Sequence, residues 1–194
     1  MAMVPTEHLF FSVYPVMSFN FKNHPLATRA IEIIDSMEFH TDSRLVNGVT
    51  TLLNYDDDIQ VVKNEYQRIL NHPALLELRK DIEVCVNQYN KTLNPKQHDL
   101  VISNSWTGIM GYDGYVKRHD HRFSPVSGSL YLRAPPGAPN LYFADPLTSA
   151  TKEINTYEGG LILFPGNLPH GTRVCKTEGR SSIVFDTTYN TTYR

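Results

Sequence analysis

Ser127-Gly128-Ser129-Leu130-Tyr131-Leu132-Arg133, followed at once by Ala134-Pro135-Pro136-Gly137, decides the class of fold. The run is too short for a helix, rich in apolar and aromatic side chains, and closed by residues that end a strand. Runs of the same kind recur on both sides of it. They predict strands at about Leu100–Met110, Val116–His121, Gly128–Arg133, Asn140–Ala144, Gly160–Phe164, Gly171–Val174 and Ser181–Asp186. Short strands this closely spaced, each followed by Gly, Pro, Asn or Asp, predict a sandwich or barrel.

Upstream of about residue 95 the hydrophobic period changes. An apolar opening strand spans His8–Val16. Pro25 suits a helix start, and Leu26, Ala30, Ile33, Ile34 and Met37 recur at helical spacing. Asn47-Gly48, between Arg44–Val46 and Val49–Leu53, is a hairpin signal. Asp56, Asp57 and Asp58 would cap a second helix with the stripe Ile59, Val62, Tyr66, Ile69 and Leu70. A third helix follows Asn71-His72-Pro73, and its Leu75, Leu78, Ile82, Cys85 and Tyr89 form a stripe suited to lying on a sheet. The expectation is an α+β chain whose helices cover one outer face of a β core.

Composition bounds the rest. The chain has 194 residues, 18 basic and 20 acidic side chains and a formal charge of -2, which fits a single domain over residues 1–194. Within it, 1–95 is the helix-rich supporting part and 96–194 the β core. Near-neutral charge argues against nucleic acid or an anionic membrane as partner. The one basic grouping, Lys117, Arg118, Arg122 and Arg133, would form at most a local rim. The apolar stretch Leu9–Val13 is broken by Ser12 and followed by Pro15, shorter than a signal sequence or membrane span, so a soluble cytoplasmic protein is expected. Two cysteines, Cys85 and Cys175, are too few for a disulfide framework or a thiolate zinc site. Any metal therefore falls to histidine and carboxylate.

Lys117-Arg118-His119-Asp120-His121 is the segment that carries chemistry. On a strand, residues i and i+2 share a face, which sets the two imidazoles side by side and turns Asp120 away. His170 follows the apolar run Leu161–Phe164 and the turn Pro165-Gly166-Asn167, at the lip of another strand. Two strand histidines and a distant third suit a metal in a barrel mouth, since neutral imidazole takes Fe, Zn, Cu or Ni. Against this stands the plainer reading of His119 and His121 as loop residues and His170 as a turn residue. Arg180-Ser181-Ser182-Ile183-Val184-Phe185 adds a guanidinium and a hydroxyl on one strand face, a pair able to hold a carboxylate. Trp106 and Phe164 read first as core filling, Asn104 shares a face with Trp106, and Cys175 lacks a base nearby in sequence.

In their order and spacing these residues resemble the 2-oxoglutarate- and iron(II)-dependent oxygenases, the superfamily of the prolyl hydroxylases, and within it a branch of small bacterial and phage proteins. The resemblance runs from Leu9-Phe10-Phe11 and Pro15, through Asn104-Ser105-Trp106, His119-Asp120-His121 and Ser127 to Leu132, to Phe143-Ala144-Asp145-Pro146, Glu158 to Pro165, His170 and Arg180 to Phe185. It implies a double-stranded β-helix, or jelly roll, with Fe(II) and 2-oxoglutarate in its open end. It also implies O2 as a reactant and hydroxylation of a small-molecule or peptide substrate. His119 and His170 match the first and the distal metal histidines. Arg180 matches the residue that binds the far carboxylate of 2-oxoglutarate, with Ser182 and Tyr131 beside it, and Asn104 is placed near the same pocket. The superfamily usually has His-x-Asp or His-x-Glu where this chain has His121. His121 is favoured by strand parity, with Asp120, re-aimed by a bulge, or Asp145 as the carboxylate alternatives. Two other readings differ in kind: a cupin-like three-histidine dioxygenase or isomerase without 2-oxoglutarate, in which Arg180 need not point into the barrel, and a non-catalytic jelly-roll binding module.

Overall fold

The computed structural model describes residues 7–11, 14–52, 68–93 and 95–190. The strands are β1 (Glu7–Phe11), β2 (Tyr14–Asn20), β3 (Leu45–Thr50), β4 (Leu100–Val116), β5 (Val126–Arg133), β6 (Leu141–Ala144), β7 (Thr151–Ile154), β8 (Gly160–Pro165), β9 (His170–Thr172) and β10 (Arg180–Tyr189). Two helices, α1 (Ala27–Asp35) and α2 (Leu76–Leu93), lie between β2 and β4 in sequence. The strands form a large sheet in the order β1-β2-β8-β5-β10-β4-β3 and a small one in the order β7-β6-β9, extended by a single bridge between His119 and His170. Each pairing between these strands is antiparallel.

Strand parity explains how this layering is encoded. In β5 and β8 every residue but Arg133 is buried, so these strands read as near-continuous apolar runs. Alternation splits each run between two cores. Leu130, Leu132, Leu161, Leu163, Ile183 and Phe185 share a core with Ala30, Ile33, Ile34, Leu78, Ile82 and Tyr89 of the helices. Tyr131, Ile162 and Phe164 instead meet Leu141, Phe143 and Ile154 of the small sheet. Gly128 makes room for its cross-strand neighbours: an added Cβ there would collide with the Phe185 ring and lie 2.7 Å from the Leu163 side chain.

The helix after Asn71-His72-Pro73 forms as its pattern requires. The His72 ring accepts from the Ala74 amide, a 3-10 turn spans Pro73–Leu75, and α2 follows. All of its stripe, Leu75, Leu78, Ile82, Cys85 and Tyr89, is buried. Other expectations need correction. The opening strand is two, β1 and β2, folded back so that Leu9 pairs with Val16. Asn47-Gly48 makes no hairpin; β3 runs straight through it along β4, and Asn47 takes φ 46° where the pairing register shifts. The asparagine signal for left-handed backbone was real, but a bulge rather than a turn uses it. The strand from Leu100 runs on to Val116, past Tyr112, and Asp113 absorbs the irregularity at φ 58°. The stretch predicted as strand Val116–His121 leaves the ladder after Val116 and returns to it only at His119. β7 went unpredicted: Thr151-Lys152-Glu153 is exposed and polar, so it carries no apolar alternation. Of the second predicted helix, Ile59, Val62 and Tyr66 lie outside the described residues, whereas Ile69 and Leu70 form a 3-10 turn. Arg133 does not join a basic rim, because its guanidinium faces Asp35 of α1 at 2.6 and 2.8 Å.

Candidate functional site

Between the two sheets lies a cleft with a cavity volume of about 110 Å³. Its floor is the inward file of β10, Arg180, Ser182 and Val184, flanked by Ser129 and Tyr131 of β5 and by Trp106, Gly108 and Met110 of β4. Its mouth carries Asp42, Arg44, Thr50 and Leu52.

His119, His121 and His170 converge on this cleft, with one ligand atom of each within 4.8 Å of the others. Backbone pairing sets two of them. His119 and His170 exchange both amide-to-carbonyl bonds at 2.9 Å, the hydrogen-bonded pair of an antiparallel ladder. His121 is placed by its amide, which donates to the Gly166 carbonyl at 2.7 Å, and by the tight approach at Gly166, where a Cβ would collide with the carbonyls of Ser124 and His121. Strand parity therefore predicts the convergence correctly, although the segment is a bridge and a turn rather than a strand.

The ring nitrogens are sorted by their partners. Nδ1 of His119 donates to the Lys117 carbonyl at 2.8 Å, and Nδ1 of His170 to the Leu168 carbonyl at 2.9 Å. Nδ1 of His121 meets the Asp186 carboxylate at 2.6 Å. Each Nδ1 is thus occupied by an oxygen acceptor, which leaves the Nε2 lone pairs for the cleft. Nε2 of His119 and Nε2 of His121 lie 3.1 Å apart. Two bare lone pairs at that separation repel, so a proton or a cation has to sit between them. Cis ligands on an octahedral ion with bonds of about 2.1 Å would be about 3 Å apart, and this donor set fits a divalent metal of the imidazole-binding kind. Burial and the neighbouring imidazole of His121 pull the His119 pKa down to about 4. Burial, then His119 and His121, push that of His170 well below its ordinary value. Neutral rings are the form a metal requires. Aromatic walls screen them: Phe164 lies 4.5 Å from His170 between ring centroids, and Trp106 5.6 Å from His121.

Neither carboxylate alternative joins the cluster. Asp120 faces Arg122 at 3.3 Å, and Asp145 caps the turn after β6 by accepting from the amides of Leu147 and Thr148. Asp186 went unread, although it was legible. It shares the inward parity of Arg180, Ser182 and Val184 on the strand already predicted.

At the other end of the cleft Arg180 is 5 % exposed and has no hydrogen-bond or ion-pair partner among the described residues, with Nε fully enclosed. Its guanidinium lies 4.7 Å from the centroid of the Tyr131 ring. The Tyr131 hydroxyl is also buried without a partner. Tyr131 and Ser182 are directly paired across β5 and β10, so the three polar groups form one patch. Asn104 is not among the residues that line the cleft, and its side chain accepts from the Ser105 amide at 3.0 Å.

No family model and no curated protein matches the sequence. Solved structures do match the fold. A Pseudomonas putida prolyl-4-hydroxylase superposes with a TM-score of 0.61 at 15 % identity, covering 90 % of this chain and 92 % of that one. HygX from Streptomyces hygroscopicus, with nickel and 2-oxoglutarate bound, gives 0.65 at 12 % identity over 92 % and 84 %. A 2OG-Fe(II) oxygenase family oxidoreductase from Burkholderia pseudomallei gives 0.64 at 12 % identity over 89 % and 84 %. The chain therefore has the jelly-roll fold of the 2-oxoglutarate and iron oxygenases.

Proposed function

We propose that the protein is an Fe(II)- and 2-oxoglutarate-dependent dioxygenase that hydroxylates a small-molecule or peptide substrate. The observation that carries this reading is a buried guanidinium with no partner among the described residues, facing the same cleft as three convergent imidazoles. An unpaired buried cation is costly and calls for an anion. The neighbouring Ser182 and Tyr131 hydroxyls are donors that the far carboxylate of 2-oxoglutarate would satisfy. His119, His121 and His170 would hold the metal, leaving the rest of its coordination shell open towards the cleft. Iron with its co-substrate supplies the oxidising chemistry that uses O2. The chain would supply orientation and dryness: Arg180 would fix the far end of the co-substrate, the histidines would hold the metal, and Trp106 and Phe164 would exclude water. Arg180 lining the cleft also favours this reading over a cupin-like enzyme that uses no 2-oxoglutarate. The same reading takes α1 and α2 as the outer cover of the jelly roll, supported by their side chains in the core behind the large sheet, and the whole chain as one cytoplasmic domain. Among the described residues no helix is long and apolar enough to cross a membrane.

Anaerobic titration of the metal-free protein with Fe(II) and then 2-oxoglutarate, followed by visible absorption, tests the proposal. A charge-transfer band is expected in the parent. Arg180→Lys keeps charge but loses the planar fork, and should bind 2-oxoglutarate more weakly; Arg180→Ala should lose about 2–5 kcal/mol of binding. Iron binding should survive both. Equal affinity in all three proteins overturns the role of Arg180, and absence of a band in the parent overturns the function.

A further inference from the structure

Of the three metal-facing histidines, two are oriented by backbone carbonyls and one by a side chain. Asp186 lies at the end of the inward file of β10, where the pairing between β10 and β4 shifts register between Asp186 and Thr187. Its Oδ1 accepts twice, from His121 Nδ1 at 2.6 Å and from the Ser127 hydroxyl at 2.6 Å. Ser127 is fully buried and is Asp186's direct partner across β5 and β10, so the carboxylate is clamped from the neighbouring strand. His121 itself has a side chain only 7 % exposed. The residue that stands where a carboxylate ligand is usual thus has a carboxylate immediately behind it.

We propose that Asp186 is a positioning residue of the metal centre, which holds His121 with its proton on Nδ1 and its Nε2 lone pair facing the metal, and supplies behind the imidazole the negative charge that a direct carboxylate ligand would bring. The inference rests on the metal reading of the three histidines. Two physical effects follow from the contact. A carboxylate only accepts hydrogen bonds, so it selects the Nδ1–H tautomer and prevents the ring from presenting an N–H to the metal. It also makes the ring a stronger donor, as outer carboxylates do for metal-bound imidazoles in general. Ser127 fixes the oxygen so that rotation of the carboxylate does not release the ring. Asp186→Asn is the informative change, because it preserves shape but removes the charge. An amide oxygen in the place of Oδ1 still accepts from both His121 and Ser127, so the variant keeps the Nδ1–H tautomer and isolates the loss of charge.

The test uses the full-length metal-free protein with Co(II) as the probe, titrated anaerobically and followed by its visible bands, beside nitrogen-15 NMR of the labelled histidines. Parent protein should bind Co(II), and His170→Ala should not bind it comparably. In Asp186→Asn the Co(II) affinity should fall about 10–100-fold, with the unfolding midpoint of the metal-free protein within a few degrees of the parent. The His121 signals should report Nδ1–H in the parent, with the Nε2 resonance displaced in the variant because the charge behind the ring is gone. Ser127→Ala, which keeps the charge, should keep Nδ1–H and lose less affinity than Asp186→Asn. It carries the comparison with the parent should Asp186→Asn fail to fold. Unchanged affinity in Asp186→Asn, or an Nε2–H tautomer of His121 in the parent or in Ser127→Ala, overturns the proposal. A parent that binds no Co(II) overturns the metal reading itself, and this inference with it.

Discussion

The two faces of the large sheet are built from the same strands to opposite ends. Behind β10, Ile183 and Phe185 enter a core of apolar side chains, and Ser181 in step with them buries a neutral hydroxyl that has no partner among the described residues. In front of it, one residue out of step, Arg180 and Ser182 enter a cleft with a buried cation and a buried tyrosine hydroxyl that have no partner among the described residues. The distinction is the charge: a neutral hydroxyl such as that of Ser181 is tolerated in a face that seals the fold, whereas an unpaired guanidinium costs far more desolvation without return. The difference teaches that the back face is selected for stability and the front face for an occupant.

The largest effect should come from the back. Phe185 is fully buried and packs against Gly128, so Phe185→Ala leaves a cavity that the sheet cannot close. It should lose about 3–5 kcal/mol of unfolding free energy in denaturant titration. A loss under 1 kcal/mol would mean that the two cores are not as distinct as described.

On the front the sign should reverse. Arg180→Met keeps most of the volume and removes an unpaired buried charge. The ligand-free protein should be as stable as the parent or gain about 1–2 kcal/mol, although the contact with the Tyr131 ring is lost. Binding of 2-oxoglutarate should be lost in the same variant, the trade expected where a site is held at the expense of stability. A clear loss of stability on Arg180→Met would break the comparison, since Arg180 would then serve the fold.

The same contrast explains what the sequence made legible. The back face announces itself, since the runs at Leu130–Leu132 and Leu161–Phe164 and the helical stripe from Leu75 to Tyr89 are strong apolar patterns that tertiary packing only confirms. The histidine cluster was legible because i and i+2 spacing survives even when the strand breaks into a bridge. Asn47 and Asp113 carried no such redundancy. Left-handed backbone serves a turn and a bulge equally, and only the partner strand decides which forms. Asp186 was missed for a different reason: its parity was readable, but the choice of His121 as its partner is made by a contact 65 residues away in sequence.

The smallest effect concerns the mouth of the cleft, where charge is balanced within the chain. Asp42 is 6 % exposed and accepts from Arg44 through the amide and two guanidinium nitrogens, at 2.7–3.0 Å. The Arg44 side chain is 42 % exposed, so solvent screens the pair and its worth is modest. The hydrogen bonds from Arg44 hold the Asp42 carboxyl below its usual value of 3.8, outweighing the opposing effect of burial. A depressed acid contributes stability that is present in full above the unfolded value and is lost as pH falls through the folded one. Asp42→Asn should therefore lower the unfolding free energy by about 1 kcal/mol at pH 7. The gap between variant and parent should narrow only below about pH 4, as the carboxyl of the parent takes up its proton. Denaturant titrations of both proteins from pH 7 to pH 3 measure this. A gap that stays constant across the whole range would mean that Asp42 acts through shape and neutral hydrogen bonds, so that among the described residues the contrast of the cleft with the core behind it rests on Arg180 alone.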